Sequence, residues 1–112
     1  MTSILKELRT IPGVGKQIAN DLAKMGILVV DDLKGKDPEL LYIQHNDQKG
    51  IAQDICMLYT FRCAVYFAET PANLREKDKL NWWYWMDKNK VDSKTKDKEI
   101  REKLIAKTQT KS

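Results

Sequence analysis

The sequence predicts an all-α protein of about five helices, closed by an aromatic C-terminal cap and followed by a charged tail. Three observations carry this. Apolar residues recur at spacings of three and four: Ile4, Leu5 and Leu8, then Ile18, Ala19, Leu22 and Met25, then Ile51, Ile55, Leu58 and Tyr59. Helix punctuation separates these segments: Gly13 and Gly15, Gly26, Asp37-Pro38-Glu39 and Pro71. The β-branched run Ile27 to Val30 is short and has no obvious partner strand.

Taken in order, residues 3–9 form a first helix with Ser3 as N-cap. A tight turn follows at Ile11-Pro12-Gly13-Val14-Gly15-Lys16, where Pro12 fixes one backbone angle and the glycines permit positive φ. The second helix runs from Lys16 to about Met25, with Gly26 as its left-handed terminator. Ile27 to Val30 connects to a brief helix over Asp31 to Lys34. Asp37 then caps a fourth helix, Pro38 to Gln44, with Pro38 at its first position. The polar stretch His45 to Gly50 reads as a loop before the longest helix, Ile51 to Ala68. That helix is apolar nearly all round, so it belongs at the centre with neighbours on several sides. Within the last segment, Ile100, Leu104 and Ile105 give one thin amphipathic helix over about Asp97 to Lys107, and the rest reads as a solvated tail. The division is 1–69 for the helical domain, 70–87 for an aromatic extension packing on it, and 88–112 for a basic tail, partly helical or disordered.

Length and charge limit the function. A chain of 112 residues supports one domain with a modest core. No apolar run approaches the ~20 residues of a membrane span, and Met1-Thr2-Ser3-Ile4-Leu5-Lys6 lacks a signal-peptide layout, so a cytoplasmic location without membrane contact is expected. The net charge of +4 is uneven: residues 1–85 carry 11 basic and 11 acidic residues, and residues 86–112 carry 9 and 5. A neutral body does not grip nucleic acid by bulk charge; any contact rests on local geometry and the tail. Cys56 and Cys63 would lie two turns apart on a helix, about 10 Å along its axis, too far for a disulfide. With a single histidine, His45, and no Cys-x-x-Cys, no metal site or cofactor is expected.

Leu8, Ile11, Gly13, Gly15, Ala19 and Leu22 fall at the spacings of a helix-hairpin-helix motif, which this stretch resembles. The order of elements further resembles the double helix-hairpin-helix domain, a SAM-like five-helix layout with two hairpins related by an approximate two-fold. In that comparison the second hairpin, around His45 to Gly50, has lost Gly-x-Gly and keeps Lys49-Gly50 ahead of a helix. At the first hairpin the helix start beyond Gly15 presents unpaired N–H groups and a positive dipole end, a ready phosphate site, and Lys16 adds a cation there. Gly13, Val14, Gly15, Lys16 and Gln17 are therefore the candidate DNA-phosphate contacts, with Lys49, Gly50, Trp83 and Tyr84 as secondary candidates. Such contacts confer affinity without base specificity. One hairpin reaches few phosphates, so binding near the ~10⁻⁴–10⁻⁶ M of non-specific complexes and sensitive to salt is expected. The alternative is a helix-helix turn whose glycines serve only close packing.

Four strings in order, Leu8 to Gly15, Asp32 to Tyr42, Tyr59 to Ala68 and Trp82 to Trp85, resemble the bacterial Cdd1-like "pathogenicity locus" family, also labelled mitomycin-resistance-like. The resemblance spans residues 4 to 88. It implies a helix-hairpin-helix fold and DNA contact, and no known reaction; the expected setting of such contact is DNA repair or maintenance.

The remaining features have a structural and a functional reading. Arg62, inside an apolar helix, reads as the partner of a carboxylate or of helix-end carbonyls; the alternative is an anion site. Trp82 to Trp85 read as a fold-back cap on a small core, with Trp82 and Trp85 sharing a face and Trp83 or Tyr84 left outside; the alternatives are base stacking and partner docking. The tail either tethers DNA or solubilises the chain. No catalytic constellation or small-molecule site is evident, so a binding module is expected rather than an enzyme. A protein-protein adaptor on the same scaffold is the second function class.

Overall fold

The computed structural model describes residues 6–89 and 91–109. The described residues are helical and contain no β-strand. Residues 6–8 end a leading helical turn, and Ser3, Ile4 and Leu5 lie outside the described residues. Four α-helices follow: α1 (Lys16–Lys24), α2 (Pro38–Lys49), α3 (Cys56–Glu69) and α4 (Ser93–Gln109). Short 3-10 turns connect them at Val30–Leu33, Ala72–Leu74, Lys77–Leu80 and Trp82–Trp85.

α3 is the central element. Leu58, Phe61, Cys63 and Ala64 have no exposed surface, and α2, the Val30–Leu33 turn and the Trp82–Trp85 turn all pack on it. The leading turn and the glycine turn close one end of this core with Leu8, Ile11 and Val14. Ile27 to Val30 is a connector, as its length suggests. Asp32 ties it down by accepting from the N–H groups of Leu28 and Val29 at 2.9 and 3.2 Å, and Glu7 accepts from Val30 at 2.9 Å.

The boundary between α2 and α3 differs from the sequence reading. α2 does not stop at Gln44. It continues through His45 to Lys49 and ends at Gly50, whose φ of 77° is left-handed. Within the polar run His45 to Gly50, His45 and Asn46 are buried against partners, and Gln48 and Lys49 reach Asp21 from the exposed side, so tertiary pairing rather than composition decides. Residues 51–55 in turn are not helical. They form the second interhelical turn, with Asp54 accepting from the N–H of Cys56 at 2.8 Å to start α3. The second interhelical turn thus sits at Gly50 to Ile55, and Lys49-Gly50 close α2 rather than precede a helix.

The aromatic extension folds back over α3. The Trp82 ring lies nearly parallel to Tyr59, 6.4 Å between centroids. Trp85 packs on Tyr66 and donates from Nε1 to the Lys79 carbonyl at 3.0 Å. Arg62 anchors this segment, donating from one guanidinium nitrogen to the Trp85 carbonyl and to Asp87, both at 2.8 Å. That is the structural role expected for a charge in an apolar helix. Cys63 is buried, which pushes its thiol up to about 11. Cys56 is half-buried, less enclosed than its apolar surroundings in sequence suggest.

α4 begins four residues earlier than the apolar pattern alone marks, because Asp92 accepts from the N–H of Thr95 at 2.7 Å and starts the helix. It lies on α2 with Ile100 1% exposed.

Gly13 holds φ of 82°, a conformation costly for residues with a Cβ. Gly15 is extended and its Cβ position is open. Gly13→Ala should therefore lower stability by about 1 kcal/mol or more. Gly15→Ser should be neutral or stabilising by about a few tenths of a kcal/mol. Thermal or urea unfolding of the two variants checks this contrast.

Candidate nucleic-acid interface

The glycine turn is built from inside out. Ile11 accepts from the N–H of Val14 at 3.1 Å, and Leu8 accepts from the N–H of Ile11 at 3.1 Å. Both apolar side chains point into the core, which leaves the glycines outside. Gly13 backs onto α3, where its missing Cβ would meet Thr60 Cγ2 at 3.5 Å. Gly15 is the N-cap of α1 and, being glycine, supplies no capping side chain. The first intrahelical bond is Ala19 N–H to the Gly15 carbonyl, 2.9 Å. The N–H groups of Lys16, Gln17 and Ile18 therefore have no acceptor within the helix, and the first turn contains no acidic residue.

Gly13, Gly15, Lys16 and Gln17 are exposed and contiguous. Val14 sits apart from these four: its side chain is buried and its N–H already serves the turn. The secondary candidates do not join this cluster as a second hairpin. Lys49 reaches Asp21 of α1 at 3.0 Å, and Gly50 terminates α2. Trp83 and Tyr84 lie in the 3-10 turn over α3, 58% and 49% exposed.

The other three α-helices begin differently. Asp37 accepts from Glu39 N–H at 2.9 Å, Asp54 from Cys56 and Asp92 from Thr95. Each has its own carboxylate at the positive end of the helix. Among the described residues, the start of α1 alone has none. Arg9 and Lys16, which flank the turn, form no ion pair among the described residues. The cations of α4 behave oppositely: Lys96 meets Asp87 at 3.0 Å, Arg101 meets Asp47 at 2.6 Å and Lys103 meets Glu39 at 2.8 Å.

A buried polar cluster escaped the sequence reading. Asp21 of α1 and His45 of α2 are 4% and 2% exposed. Their Oδ2 and Nε2 are 2.9 Å apart, and Lys49 joins the same oxygen. Gln48 donates to the Asp21 carbonyl at 3.1 Å. Burial works against the charged Asp21, but the hydrogen bonds from His45 and Lys49 outweigh it and hold its carboxyl below the usual range. The edge of the Phe61–His45 ring pair, at 5.6 Å and 89°, completes the enclosure. The signal was available: His45 follows Leu41 by four residues and Tyr42 by three, on the stripe that α2 buries. Among the described residues no group of His, Cys, Asp or Glu has the makings of a metal site, and no helix is long and apolar enough to cross a membrane.

These features define a small all-α protein that, among the described α-helices, presents one start without a capping carboxylate, on a glycine turn. The chain belongs to the Cdd1 pathogenicity locus family, whose model matches residues 1–91. It is similar to the mitomycin resistance protein McrB of Streptomyces lavendulae, with 31% identity over 85 residues, 75% of this chain and 74% of that protein. No solved structure matches it at a significant level.

Asp21→Asn should lower stability at pH 7 by about 3 kcal/mol, since it removes the buried carboxylate oxygen that His45 and Lys49 share. The folded carboxyl is depressed, so its stabilisation is present above the ordinary Asp value near 3.8 and is lost as pH falls through the folded one. The gap between wild type and variant should therefore narrow below about pH 4. Urea unfolding followed by tryptophan fluorescence across pH measures it.

Proposed function

We propose that this protein is a helix-hairpin-helix module that binds the sugar-phosphate backbone of DNA without base preference, and that it is not an enzyme. The observation that carries this reading is the open start of α1. Three N–H groups with no acceptor within the helix, a dipole end, a missing Cβ at Gly15 and Lys16, which forms no ion pair among the described residues, converge on one spot. Every other α-helix start among the described residues carries its own carboxylate. An anionic oxygen at Gly15 to Gln17 would do there what Asp37 does for α2. Affinity is low and salt-dependent because one turn meets few phosphates. The resistance role in the name of its Streptomyces relative fits a context of damaged DNA, and no step of such a role is assigned to this chain.

A second reading, a protein-protein adaptor, draws on the Trp83, Tyr84 and Met86 surface, which borders a groove of about 560 Å³ lined by Pro38, Tyr66, Trp85 and Met86. Under the DNA reading Trp83→Ala leaves DNA affinity unchanged; under the adaptor reading it removes the principal contact of a partner.

The decisive variant is Gly15→Asp. A carboxylate at the N-cap satisfies the free N–H groups and stabilises α1 by about a few tenths of a kcal/mol relative to glycine. It also places negative charge where phosphate would sit. The melting temperature should hold or rise while affinity for a labelled duplex, by fluorescence anisotropy at low salt, falls about tenfold or more. Lys16→Ala should weaken binding to all sequences alike and lower the salt slope by about one. A folded Gly15→Asp chain that binds as tightly as wild type refutes the reading.

A further inference from the structure

The groove of about 560 Å³ runs along α3, between the start of α2 and the aromatic extension. α3 contributes Arg62, Val65, Tyr66 and Glu69 to it. Spacings of three, one and three put these four on one helical face. The pattern is also symmetric about its centre: reversing the helix exchanges Val65 with Tyr66 and Arg62 with Glu69. Its two ends lie about 10 Å apart along the axis and carry opposite charge. Tyr84, 49% exposed, and Met86, 37% exposed, stand on the extension side of the same groove. A groove and the knobs to fill one therefore lie side by side.

The chain's own fold uses the two end charges only in part. Arg62 commits Nη1 to the Trp85 carbonyl and Asp87, while its Nη2 lies 4.0 Å from Glu39. Glu69 accepts from the N–H of Gly35 through Oε2 at 2.8 Å. It forms no ion pair among the described residues. It is also the last residue of α3, where the helix dipole disfavours an acid. A cation from outside the chain is what this carboxylate lacks.

We infer that this face pairs with the same face of a second copy, and that the pair bridges two segments of duplex DNA. The two α3 helices run antiparallel, with the two-fold axis beside the midpoint of Val65 and Tyr66. Such an isologous contact brings Arg62 of each copy to Glu69 of the other. It also seats Tyr84 and Met86 of each copy at the groove of the other. Residues 1–85 are neutral overall, so two copies meet without long-range repulsion between their bodies. The glycine turn stays clear of the contact. A Cβ at Gly13 would meet Thr60 Cγ2 at 3.5 Å, and Thr60 is about one and a half turns from the centre of the groove face, on the opposite side of α3. Pairing leaves both glycine turns on outer surfaces, facing away from each other. One duplex meets one turn, with the affinity of a single copy, and a second duplex meets the other. The bridging rests on the function proposed above; the pairing does not.

Sedimentation equilibrium of the full chain without DNA measures the pairing. Glu69→Lys sets like charges together at both ends of the contact and should weaken self-association about tenfold or more. Met86→Lys should do the same while leaving Arg62 and Glu69 in place. Bridging is read by capture of a labelled duplex on bead-bound duplex. Wild type should capture it. Glu69→Lys should not, although its affinity for one duplex, by anisotropy, equals that of wild type or exceeds it through the added cation. A wild type that stays monomeric at every concentration reached overturns the inference, and so does a dimer that both variants leave intact. Pairing through this face without capture, in a chain that binds single duplexes, overturns the bridging. A chain that pairs, but whose Gly15→Asp variant binds duplex as wild type does, refutes the DNA reading instead and leaves the pairing in place.

Discussion

The fold depends on one buried carboxylate. Asp21 stands on α1, and its charge is met by His45 and Lys49, one turn apart on α2. A carboxylate removed from water without partners would protonate or force the helices apart. With both partners present it fixes the rotation of α1 about its own axis, and that rotation sets where the start of α1 points. The glycine turn is joined rigidly to α1 through the Ala19 to Gly15 hydrogen bond, and it is seated on the core by Ile11 and Val14. The polar cluster and the apolar seat therefore act on the same object from its two ends.

The distribution of charge follows a consistent division. The sequence places its whole excess of positive charge after residue 85. In the folded chain part of that excess is paired: Lys96, Arg101 and Lys103 of α4 lie on Asp87, Asp47 and Glu39. Burial opposes the charged forms of Asp87 and Asp97, yet the hydrogen bonds from Arg62 and Lys96 to the first, and from Arg101 and Asn46 to the second, keep both carboxyls depressed. The acids of the body are thus drawn toward α4, and the cations flanking the glycine turn keep no acidic partner among the described residues. A chain that is neutral through residue 85 still presents a locally positive spot. Short-range arrangement accomplishes what net charge does not.

Much of the fold was legible in sequence, for identifiable reasons. Asp37-Pro38-Glu39 marks a helix start by backbone chemistry alone, and the start is where the sequence puts it. α3 is apolar on all sides and lies at the centre. Trp82 and Trp85 cap the core while Trp83 and Tyr84 stay outside, as a shared helical face requires. The boundary between α2 and α3 was not legible, because His45, Asn46 and Lys49 are polar and polarity suggests a loop. Their partners, Asp21, Gln53 and Asp97, lie 24, 7 and 51 residues away, and no local pattern reports such pairings. Val14, between the two glycines, turns its side chain into the core beside Ile11, a packing that the local pattern does not report.

The same displacement of the boundary changes what the second turn can be. As a loop from His45 to Gly50 it would be a decayed copy of the first, with only Lys49-Gly50 remaining. As a turn from Gly50 to Ile55 it is well ordered, held through Gln53 by Tyr42 and Asn46. Loss of the Gly-x-Gly pattern then reflects a different way of fixing the backbone rather than loss of the turn. The first turn is shaped by glycines and leaves its helix start open. The second is shaped by side chains of α2, starts α3 on the carboxylate of Asp54, and borders a groove shared with α4. The two turns differ most in what stands at the helix start that follows: no carboxylate at α1, and the carboxylate of Asp54 at α3.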